Sequence, residues 1–537
     1  MANRSRTAAV LWLAIAAAVC AACGTTSPTA GPTSIAPTSP VPTLWTGPSP
    51  TSAATPAVEP TPTPTAQPSP QSIELALAVV SRFDDPRLGV SADELTTLAE
   101  QGKLLLPCDV SSLRLNGAAL VLAATTACLP PEQITARLQP KPGEIALLPP
   151  GFVTPSVKVL PIDSADLFGS PSRRAQSYPL VGAVPASVAS APAWAPGDPS
   201  EVRTLISTGD TCPDRGVSHQ TLVLKKGWDW AFDGGGAKYT GFARGRFGWS
   251  LPSAVRTGDG GAMDALLSDH DVAVNDFECP TVSNFRQHDQ GLYFTIDPAF
   301  PAFLAKRGGV DAVTIGSNHM DDLGASGITQ TVAALDAAGI AHTGAGLDLA
   351  RALAPAIVDV RGVRFAFVGW DDGGDATPQS AGTAPLTRST VCSSLSQARA
   401  SADIVIAMPQ WGFPEYHPDP TSRQRTQRAI MYECGADDIL GSGTHVASWA
   451  SIDSGPNGPR VALGSHGNFF FDQNWARWTM EGVVPELTFY GKKLVQFRLH
   501  PYTILDDGQP NLIDPLTDGA KVVAQVWNPK PFECCRP

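Results

Sequence analysis

Short apolar segments that end in polar clusters recur through the carboxyl-terminal two thirds of the chain. These segments are 204–207, 271–274, 312–315, 404–408, 438–440 and 461–463. Apolar segments of this length between turn-forming residues are typical of buried strands. A helix is predicted over residues 328–338, because Gly339 follows it as a carboxyl-terminal cap. The alternation of strands and helices predicts an α/β fold with an open sheet.

Each of these strands runs directly into side chains that bind metals or protons. The clusters are Thr208–Asp210, Asn275–Glu278, Gly316–His319, Gln410–Gly412, Gly441–His445 and Ser465–Asn468. Ligands of open α/β sheets bind at the carboxyl ends of the strands, so we expect the six clusters to meet in one crevice. Their oxygen and imidazole groups, without thiolate, suit Zn, Mn or Fe in a catalytic centre rather than a structural zinc site.

A smaller α/β region is predicted over residues 73–180. Ser91 and Glu94 form a capping box that opens a short helix, and strands are expected at 118–123, 145–148 and 157–160. The region contains no set of residues that suggests chemistry, so we interpret it as an accessory domain. A linker rich in Ala, Pro and Ser is predicted over 181–200, and the larger domain over 201–537.

The amino terminus has the pattern of an export signal. Residues 1–23 contain two Arg followed by an apolar stretch too short to span a bilayer. The ending of this stretch resembles the lipobox of bacterial lipoproteins, which makes Cys23 the candidate lipidation site; the alternative is an ordinary signal peptide cleaved nearby. Residues 24–72 are rich in Pro, Thr and Ser with the single charged residue Glu59, and predict a disordered tether.

Composition and charge narrow the function classes. With 43% hydrophobic and 16% charged residues over 537 positions, the chain builds a core and is not wholly disordered. The net charge of -12 argues against nucleic acid as a partner, because phosphates attract basic surfaces. Export also favours disulfides among the remaining cysteines. We expect Cys108 to pair with Cys128 and Cys212 with Cys279, although the spacing alone leaves other pairings open.

Five motifs in a fixed order resemble the capsule-synthesis CapA family, which is associated with poly-gamma-glutamate production. They are GDTCPDRGV from Gly209, VNDFECP from Val274, IGSNHMDDLG from Ile315, AALDAAGIAHTGAG from Ala333 and GSHGNFFFDQ from Gly464. The resemblance covers roughly residues 201–502, over half of the chain. It implies a four-layer αββα sandwich of the calcineurin-like metallophosphoesterase type.

The resemblance also implies a metal centre. By analogy, the metal ligands are Asp210, Glu278, Asn318 and His445, and His319 is the imidazole beside the substrate. Arg215 is a candidate catalytic clamp on a phosphate or carboxylate, with an ordinary surface ion pair as the alternative. The implied cofactor is a divalent metal (Mn, Zn or Fe), with one or two ions.

Two expected imidazoles are absent from this chain. Gln410 and Gly443 stand where the family has His, so the centre is reduced to one ion or lost. The Gln410 amide binds such metals less well than an imidazole. His466 is a candidate replacement ligand. For His445, a hydrogen-bonded core histidine is the alternative interpretation.

A basic and aromatic insertion over residues 221–257 stands apart from the acidic remainder. Its six basic and two acidic side chains, interleaved with aromatic rings, suit an anionic or sugar-bearing polymer. The candidate polymer-binding residues are Lys225, Lys226, Trp228, Trp230, Arg244 and Arg246. The alternative is a flap whose aromatic rings cover a sheet edge, and Gly234–Gly236 suggests that such a flap moves.

Three functional hypotheses follow from these patterns. The first is a lipid-anchored, CapA-like protein on the outer face of a bacterial membrane, active in synthesis, anchoring or release of an anionic envelope polymer such as poly-gamma-glutamate. Its reaction would be metal-assisted hydrolysis, with His319 protonating the leaving oxygen. The second is a non-catalytic polymer-binding protein of the same fold, and the third is a solute-binding lipoprotein that uses residues 73–180.

Overall fold

The computed structural model describes residues 72–532 except 142, 176, 195–196, 246 and 412–413. The predicted signal peptide 1–23 with Cys23, and the predicted tether up to residue 71, lie outside the described residues. Arg246, one of the candidate polymer-binding residues, also lies outside them. Within the described part of the chain, no helix is long and apolar enough to cross a lipid bilayer.

The amino-terminal region is built from two small sheets. Its elements are β1 (Ser72–Ala76), β2 (Ala78–Arg82), α1 (Ala92–Glu100), β3 (Leu104–Pro107), β4 (Ser112–Leu115), β5 (Ala118–Leu120), β6 (Cys128–Leu129), α2 (Pro131–Leu138), β7 (Ile145–Leu148), β8 (Val157–Val159), β9 (Leu180–Pro185) and α3 (Ala186–Ala189). Helix α1 begins after Ser91, whose hydroxyl accepts from the backbone N–H of Glu94 as a cap. The strand orders are β1-β9-β4-β5 and β6-β3-β7-β2-β8.

The segment predicted as a linker over 181–200 belongs to this region instead. Residues 181–185 of this segment belong to β9, which pairs antiparallel with both β1 and β4. Trp194 is buried with Leu77 and Leu180 in the core of the region. Composition alone does not reveal this strand, because its buried face carries Gly182 between Leu180 and Val184, which interrupts the apolar pattern.

The larger region contains the remaining elements. These are β10 (Val202–Thr211), α4 (Arg215–Ser218), α5 (Trp228–Phe232), β11 (Gly236–Arg244), β12 (Ser250–Thr257), α6 (Ala262–Ser268), β13 (Val272–Phe277), α7 (Phe300–Lys306), β14 (Val310–Thr314), α8 (Gly324–Ala338), β15 (Ala341–Thr343), β16 (Ala345–Gly346), α9 (Leu349–Ala352), β17 (Ala356–Val360), β18 (Val363–Asp371), β19 (Gly382–Thr383), α10 (Arg388–Ser401), β20 (Ile404–Gln410), α11 (Ser422–Glu433), β21 (Asp438–Leu440), β22 (Ala450–Gly455), β23 (Gly458–Leu463), β24 (Asn468–Phe470), α12 (Arg477–Met480), β25 (Glu481–Tyr490), β26 (Lys493–Leu505), β27 (Gln509–Ile513) and α13 (Ala520–Trp527). The predicted helix 328–338 lies within α8, and Gly339 caps it in the left-handed conformation.

The six predicted strands are divided between two sheets rather than joined in one open sheet. A ten-stranded sheet has the order β12-β11-β27-β26-β25-β10-β13-β14-β15, with β24 paired to β10. A six-stranded sheet has the order β17-β18-β20-β21-β23-β22. Strands β10, β13 and β14 run parallel in the first sheet, and β20, β21 and β23 run parallel in the second.

Alternating side chains pack the two sheets face to face. Leu205 and Val274 of the first sheet share a core with Phe365 and Ile406 of the second. Their neighbours point outward, because successive side chains of a strand lie on opposite faces. Helices α6, α7 and α8 cover the outer face of the first sheet, and α10 and α11 cover that of the second. The predicted four-layer αββα sandwich is therefore confirmed.

A buried ionic cluster joins the amino-terminal region to this sandwich. The Nη1 atom of Arg498 lies 2.7 Å from Asp166 Oδ2 and 3.2 Å from Glu486 Oε1. Its Nη2 donates to the carbonyl of Val159 at 2.8 Å, and His500 Nε2 lies 2.8 Å from the other oxygen of Glu486. We call Arg498, Asp166, Glu486 and His500 the junction cluster.

Three disulfides brace the described residues. The predicted pairs Cys108–Cys128 and Cys212–Cys279 are both present, and Cys392 pairs with Cys434. The first pair stabilises the amino-terminal region, and the third joins α10 to the end of α11. Cys212–Cys279 lies beside the polar strand ends described next.

Candidate metal centre

Three side chains from separate strand ends meet in one buried cluster. Asp210 lies near the end of β10, Glu278 follows β13 directly, and His445 lies in the loop after β21. Atoms of the three side chains that can bind a metal lie within 4.8 Å of one another. His445 Nδ1 is 2.9 Å from Asp210 Oδ2, and its Nε2 is 3.8 Å from Glu278 Oε1. The structure thus joins three of the four metal ligands proposed from the sequence.

The pKa values of His445, Asp210 and Glu278 depend strongly on one another. Burial opposes the protonated form of His445, but Glu278 and Asp210 together hold the pKa of the imidazole well above its ordinary value. Burial would likewise raise the pKa of Asp210, yet the hydrogen bond and charge of His445 keep it below its ordinary value. The pKa of Glu278 is raised, chiefly because the carboxyl is buried.

A third acidic side chain, Asp276, belongs to the cluster and was not predicted from the sequence. It lies beside Asp210 in the parallel register of β10 and β13 and is 1% exposed. Burial, and then the charges of Asp210 and Glu278, raise the pKa of Asp276 well above its ordinary value. The motif Asn275–Glu278 contains Asp276, but the family resemblance pointed to Glu278 alone.

The donor set fits a divalent cation. Three buried carboxyl groups share the neighbourhood with the single imidazole of His445, and both oxygens of Glu278 are buried without a hydrogen-bond partner. An uncompensated buried carboxylate is costly, so the cluster is poised for a positive charge. Asn468 Oδ1 lies 2.9 Å from His445 Nδ1, which orients the ring and leaves Nε2 for a metal.

Gln410 occupies the part of the crevice where two family imidazoles are absent. Its amide nitrogen donates to Asn318 Oδ1 at 3.2 Å and to Ser317 Oγ at 3.4 Å, and its oxygen accepts from Ser442 Oγ at 2.9 Å. A Cβ atom added at Gly443 would lie 2.6–2.8 Å from the atoms of this amide. The Gln410 amide therefore fills the space that a side chain at position 443 would enter.

Asn318 and His466, two predicted ligands, lie outside the three-residue cluster. Asn318 is exposed, and its oxygen accepts from the Gln410 amide. His466 is buried with both ring nitrogens engaged, since Nδ1 donates to the Gly441 carbonyl and Nε2 accepts from Ser207 Oγ, each at 2.9 Å. Burial lowers the pKa of His466 to about 4, which keeps the ring neutral. His466 is thus a core histidine, and its suggested role as a replacement ligand finds no free nitrogen.

His319 lies at the edge of the cluster, where a proton donor is useful. Its Nδ1 is 3.1 Å from Asp322 Oδ2, and Phe294 packs edge-on against the ring with centroids 4.6 Å apart. A positive charge on the His319 imidazole would lower the pKa of Glu278, so the ring lies within electrostatic range of the cluster. The ring is partly exposed, and its orientation is set by Asp322.

Arg215 is held by an acidic partner. Its guanidinium forms a salt bridge with Asp472 and lies over Phe294, with 4.6 Å from Cζ to the ring centroid. The alternative of an ion pair, considered in the sequence analysis, is the arrangement observed, although the pair is largely buried rather than on the surface.

Only part of the basic insertion is exposed to solvent. Trp228 is buried against Phe300 and donates from Nε1 to Asp297 Oδ2 at 3.1 Å, so it is not available to stack on a polymer. Gly234 and Gly235 allow close backbone approach, because a Cβ at Gly234 would lie 1.8 Å from the Pro510 carbonyl. The glycine run thus serves the packing of β11 against β27 rather than a moving flap.

The exposed remainder of the insertion keeps a basic character. Lys225 and Arg244 are exposed. Lys226 lies over the ring of Trp230, with its Nζ 4.3 Å from the centroid, and its Nζ is 3.8 Å from Asp506 Oδ2. Phe242 is 52% exposed beside Arg244 in the hairpin.

Comparison with known proteins identifies the family. The model of the family described as "Bacterial capsule synthesis protein PGA_cap" matches residues 204–473, half of the chain. The chain belongs to this family of bacterial capsule synthesis proteins. The matched range contains Asp210, Glu278 and His445, so the centre lies inside the part that the family shares.

Curated relatives of this chain occur in two bacilli. The chain is similar to "Capsule biosynthesis protein CapA" of Bacillus anthracis, with 29% identity over 276 residues, which covers 49% of this chain and 65% of that protein. It is also similar to "PGA biosynthesis protein CapA" of Bacillus subtilis (strain 168), with 30% identity over 222 residues, which covers 40% of this chain and 57% of that protein. The match spans less than two thirds of either relative.

Solved structures with some likeness include phosphoesterases. The calcineurin-like phosphoesterase YfkN from Bacillus subtilis is 12% identical, with a TM-score of 0.29, covering 60% of this chain and 95% of that chain. A phosphatase from Mycoplasma pneumoniae is 12% identical, with a TM-score of 0.31, covering 56% and 94%. The αββα sandwich of this chain is established by its own sheets and helices, independently of these likenesses.

Proposed function

We propose that this protein is a metal-dependent hydrolase of the cell envelope that acts on an anionic capsule polymer such as poly-gamma-glutamate. The observation that carries the proposal is the buried cluster of Asp210, Glu278 and His445 within the family's shared region. Carboxylate and imidazole ligands without thiolate suit Mn, Zn or Fe. A divalent metal bound there supplies Lewis-acid polarisation of the scissile bond and lowers the pKa of water.

The chain's own residues have defined tasks in this proposal. Asp210, Glu278 and His445 hold the metal, with Asp276 beside them. His319, oriented by Asp322, holds a proton for the leaving oxygen. A single ion is proposed, because the Gln410 amide fills the space beside Gly443.

Polymer binding is proposed at the exposed basic part of the insertion. Lys225, Lys226 and Arg244 offer cations, and Phe242 and Trp230 offer aromatic faces for stacking. Trp228 is excluded by its burial. Arg215 is assigned a positioning task through Asp472 rather than direct binding of the polymer.

Export and lipid anchoring complete the proposal. The pattern of residues 1–23 supports export, and Cys23 is the proposed attachment site of the lipid. A tether over 24–71 would hold the folded head away from the membrane. These assignments place the protein outside the cytoplasm, where an oxidising environment supports the three disulfides.

A second candidate function is polymer binding without catalysis. The observation that favours it is Gln410, whose amide is held by Ser442 and Asn318 in place of an imidazole. An amide oxygen is a weaker ligand than imidazole for these metals. In this alternative the protein guides or retains the polymer through the basic insertion.

Metal content and hydrolysis separate the two candidates. The full-length protein is purified, its bound metals are measured by mass spectrometry, and hydrolysis of a generic phosphodiester and of poly-gamma-glutamate is assayed. The hydrolase is supported by metal that is lost in Asp210→Ala and by activity that is lost in His319→Ala. His342→Ala is the matched control, because His342 pairs with Asp336 away from the centre.

Polymer binding is tested with charge-removing substitutions. Lys225→Gln/Arg244→Gln is expected to weaken binding of poly-gamma-glutamate at low salt by about tenfold, because each cation lost from a basic surface reduces attraction. Lys103→Gln/Lys141→Gln, in the amino-terminal region, is the control. Equal binding by both variants would contradict the assignment of the insertion. Binding without metal or turnover in the unaltered protein would support the second candidate.

A further inference from the structure

A disulfide lies directly between the two strand ends that present the acidic ligands. Cys212 follows Asp210 by two residues, and Cys279 follows Glu278 immediately. The two cysteines are separated by 67 residues in sequence, and their Cα atoms are 5.3 Å apart. Both are buried in the apolar cluster under α7 and α8, with Phe277 and Ile296 among their neighbours.

Backbone pairing between these strands ends where the disulfide begins. The parallel register of β10 and β13 includes Thr211 opposite Phe277, and Glu278 N donates to the Thr211 carbonyl at 3.0 Å. Beyond this point Cys212 N donates to Phe470 of β24 instead, at 3.0 Å. The disulfide is therefore the link between the two chain segments immediately past the last ladder bond.

Three buried carboxyl groups crowd the ends of the same two strands. Asp210 on β10 lies opposite Asp276 on β13 in the register, and Glu278 adds a third buried carboxyl group. The covalent link between Cys212 and Cys279 holds these strand ends together before a cation is bound.

We propose that the Cys212–Cys279 disulfide is a positioning element that sets the metal affinity of this centre by holding Asp210 and Glu278 at binding distance. The inference rests on the proposed metal-binding function and adds a redox dependence to it. Preorganised ligands bind more tightly because less ordering is required when the ion arrives. Thiol–disulfide exchange with a small dithiol, which supplies two electrons and two protons and is itself oxidised to a disulfide, would release the strand ends. It would leave two small buried thiols in the core, which pack as apolar side chains.

The other two disulfides provide matched controls. Cys108–Cys128 lies in the amino-terminal region, and Cys392–Cys434 joins α10 to the end of α11 on the outer layer. Each closes a chain loop, as Cys212–Cys279 does, so each removal has the general effect of losing a cross-link. Neither pair adjoins a residue of the metal centre in sequence.

The test compares metal affinity across three double variants of the full-length protein. Dissociation constants for Mn²⁺ and Zn²⁺ are measured by isothermal titration calorimetry for Cys212→Ala/Cys279→Ala, Cys108→Ala/Cys128→Ala and Cys392→Ala/Cys434→Ala. The first variant is expected to bind about tenfold or more weakly, the range found when groups that orient metal ligands are removed. The two controls are expected to keep the affinity of the unaltered protein.

Thermal melting of the metal-free variants separates positioning from general stability. A variant that melts lower but binds the metal with unchanged affinity would overturn the inference, since the disulfide would then be only a brace. Equal weakening of binding in all three variants would overturn it as well. Absence of any metal binding by the unaltered, oxidised protein would instead overturn the proposed metal centre, and with it this inference.

If Cys212→Ala/Cys279→Ala does not fold, mild reduction of the unaltered protein supplies the same comparison. Mass spectrometry of alkylated thiols identifies which disulfides are reduced, and metal affinity is measured on that sample. Weaker binding that follows reduction of Cys212–Cys279, and recovers on reoxidation, supports the inference. Unchanged affinity after its reduction overturns it.

Discussion

Two buried clusters of charged side chains in this protein differ in how far positive charges compensate the negative ones. In the junction cluster, Arg498 lies between Asp166 and Glu486, and every carboxylate has a partner. In the metal centre, Asp276 and Glu278 lie with Asp210 around one imidazole. Buried charges require compensation. The junction cluster has this compensation from Arg498, whereas the candidate metal centre has three carboxyl groups beside one imidazole.

The pKa shifts follow this difference despite equal burial. Burial would raise the pKa of Glu486, but Arg498 and His500 hold it well below its ordinary value. The pKa of Asp276 is raised by burial and further by Asp210 and Glu278. The two carboxyl groups are similarly buried, so the difference between their pKa shifts comes from the charges around each of them.

The largest expected effect on stability comes from removing the positive charge of Arg498 from the junction cluster. Arg498→Met leaves Asp166 and Glu486 buried without their cation and should lower the free energy of unfolding by about 3–5 kcal/mol. Chemical unfolding followed by circular dichroism measures this change. The triple variant Arg498→Met/Asp166→Asn/Glu486→Gln should recover part of the loss, and a triple variant as unstable as the single one would contradict the charge-balance explanation.

Adding a divalent cation that binds the proposed metal centre should have the next largest effect. Mn²⁺ or Zn²⁺ at a hundredfold excess over its dissociation constant should raise the free energy of unfolding by about 2.7 kcal/mol. Removal of the metal with a chelator should reverse the gain. Glu278→Gln should abolish the metal-dependent part, and a gain that persists in this variant would place the metal elsewhere.

Asp438 is a buried carboxyl group outside both clusters, and its burial favours the protonated form. Its pKa is raised to about 7, chiefly by burial. The folded state therefore keeps a proton that the unfolded state releases, so stability decreases as pH rises from about 4 to 7. Asp438→Asn should remove this dependence and gain about 2 kcal/mol relative to the unaltered protein between pH 5 and 7, at about 1.4 kcal/mol for each pKa unit.

Chemical unfolding of both proteins across this pH range measures the gain. The side-chain oxygen of Asp438 that accepts from Val461 N at 2.8 Å is retained by Asn. Parallel pH profiles for the two proteins would contradict the prediction.

The smallest effect is expected at an exposed ion pair. Lys492 Nζ lies 2.7 Å from Asp403 Oδ1, and the lysine side chain is 62% exposed. Lys492→Met should change the free energy of unfolding by less than about 1 kcal/mol, because water screens such pairs. A loss comparable with that of Arg498→Met would mean that burial is not what separates the two cases.

Much of the α/β sandwich was predictable because its signals are local. Apolar strands with polar ends identified β10, β13, β14, β20, β21 and β23, and Gly339 marked the end of α8. The same rule predicted that the clusters containing Asp210, Glu278 and His445 meet, since the carboxyl ends of parallel strands lie together. The family resemblance then named these three residues as ligands. The division of these strands between two sheets was not visible, because a strand pattern does not name its partners.

The sequence by itself determined which elements form and which residue types stand at their ends. Only the tertiary structure decided that Ser207 and Gly441 engage His466, that Gln410 fills the space beside Gly443, and that Asp276 joins the acidic cluster. The physical reason is that capping and strand alternation depend on neighbours along the chain. Hydrogen-bond partners and charge balance depend on residues brought together from distant positions.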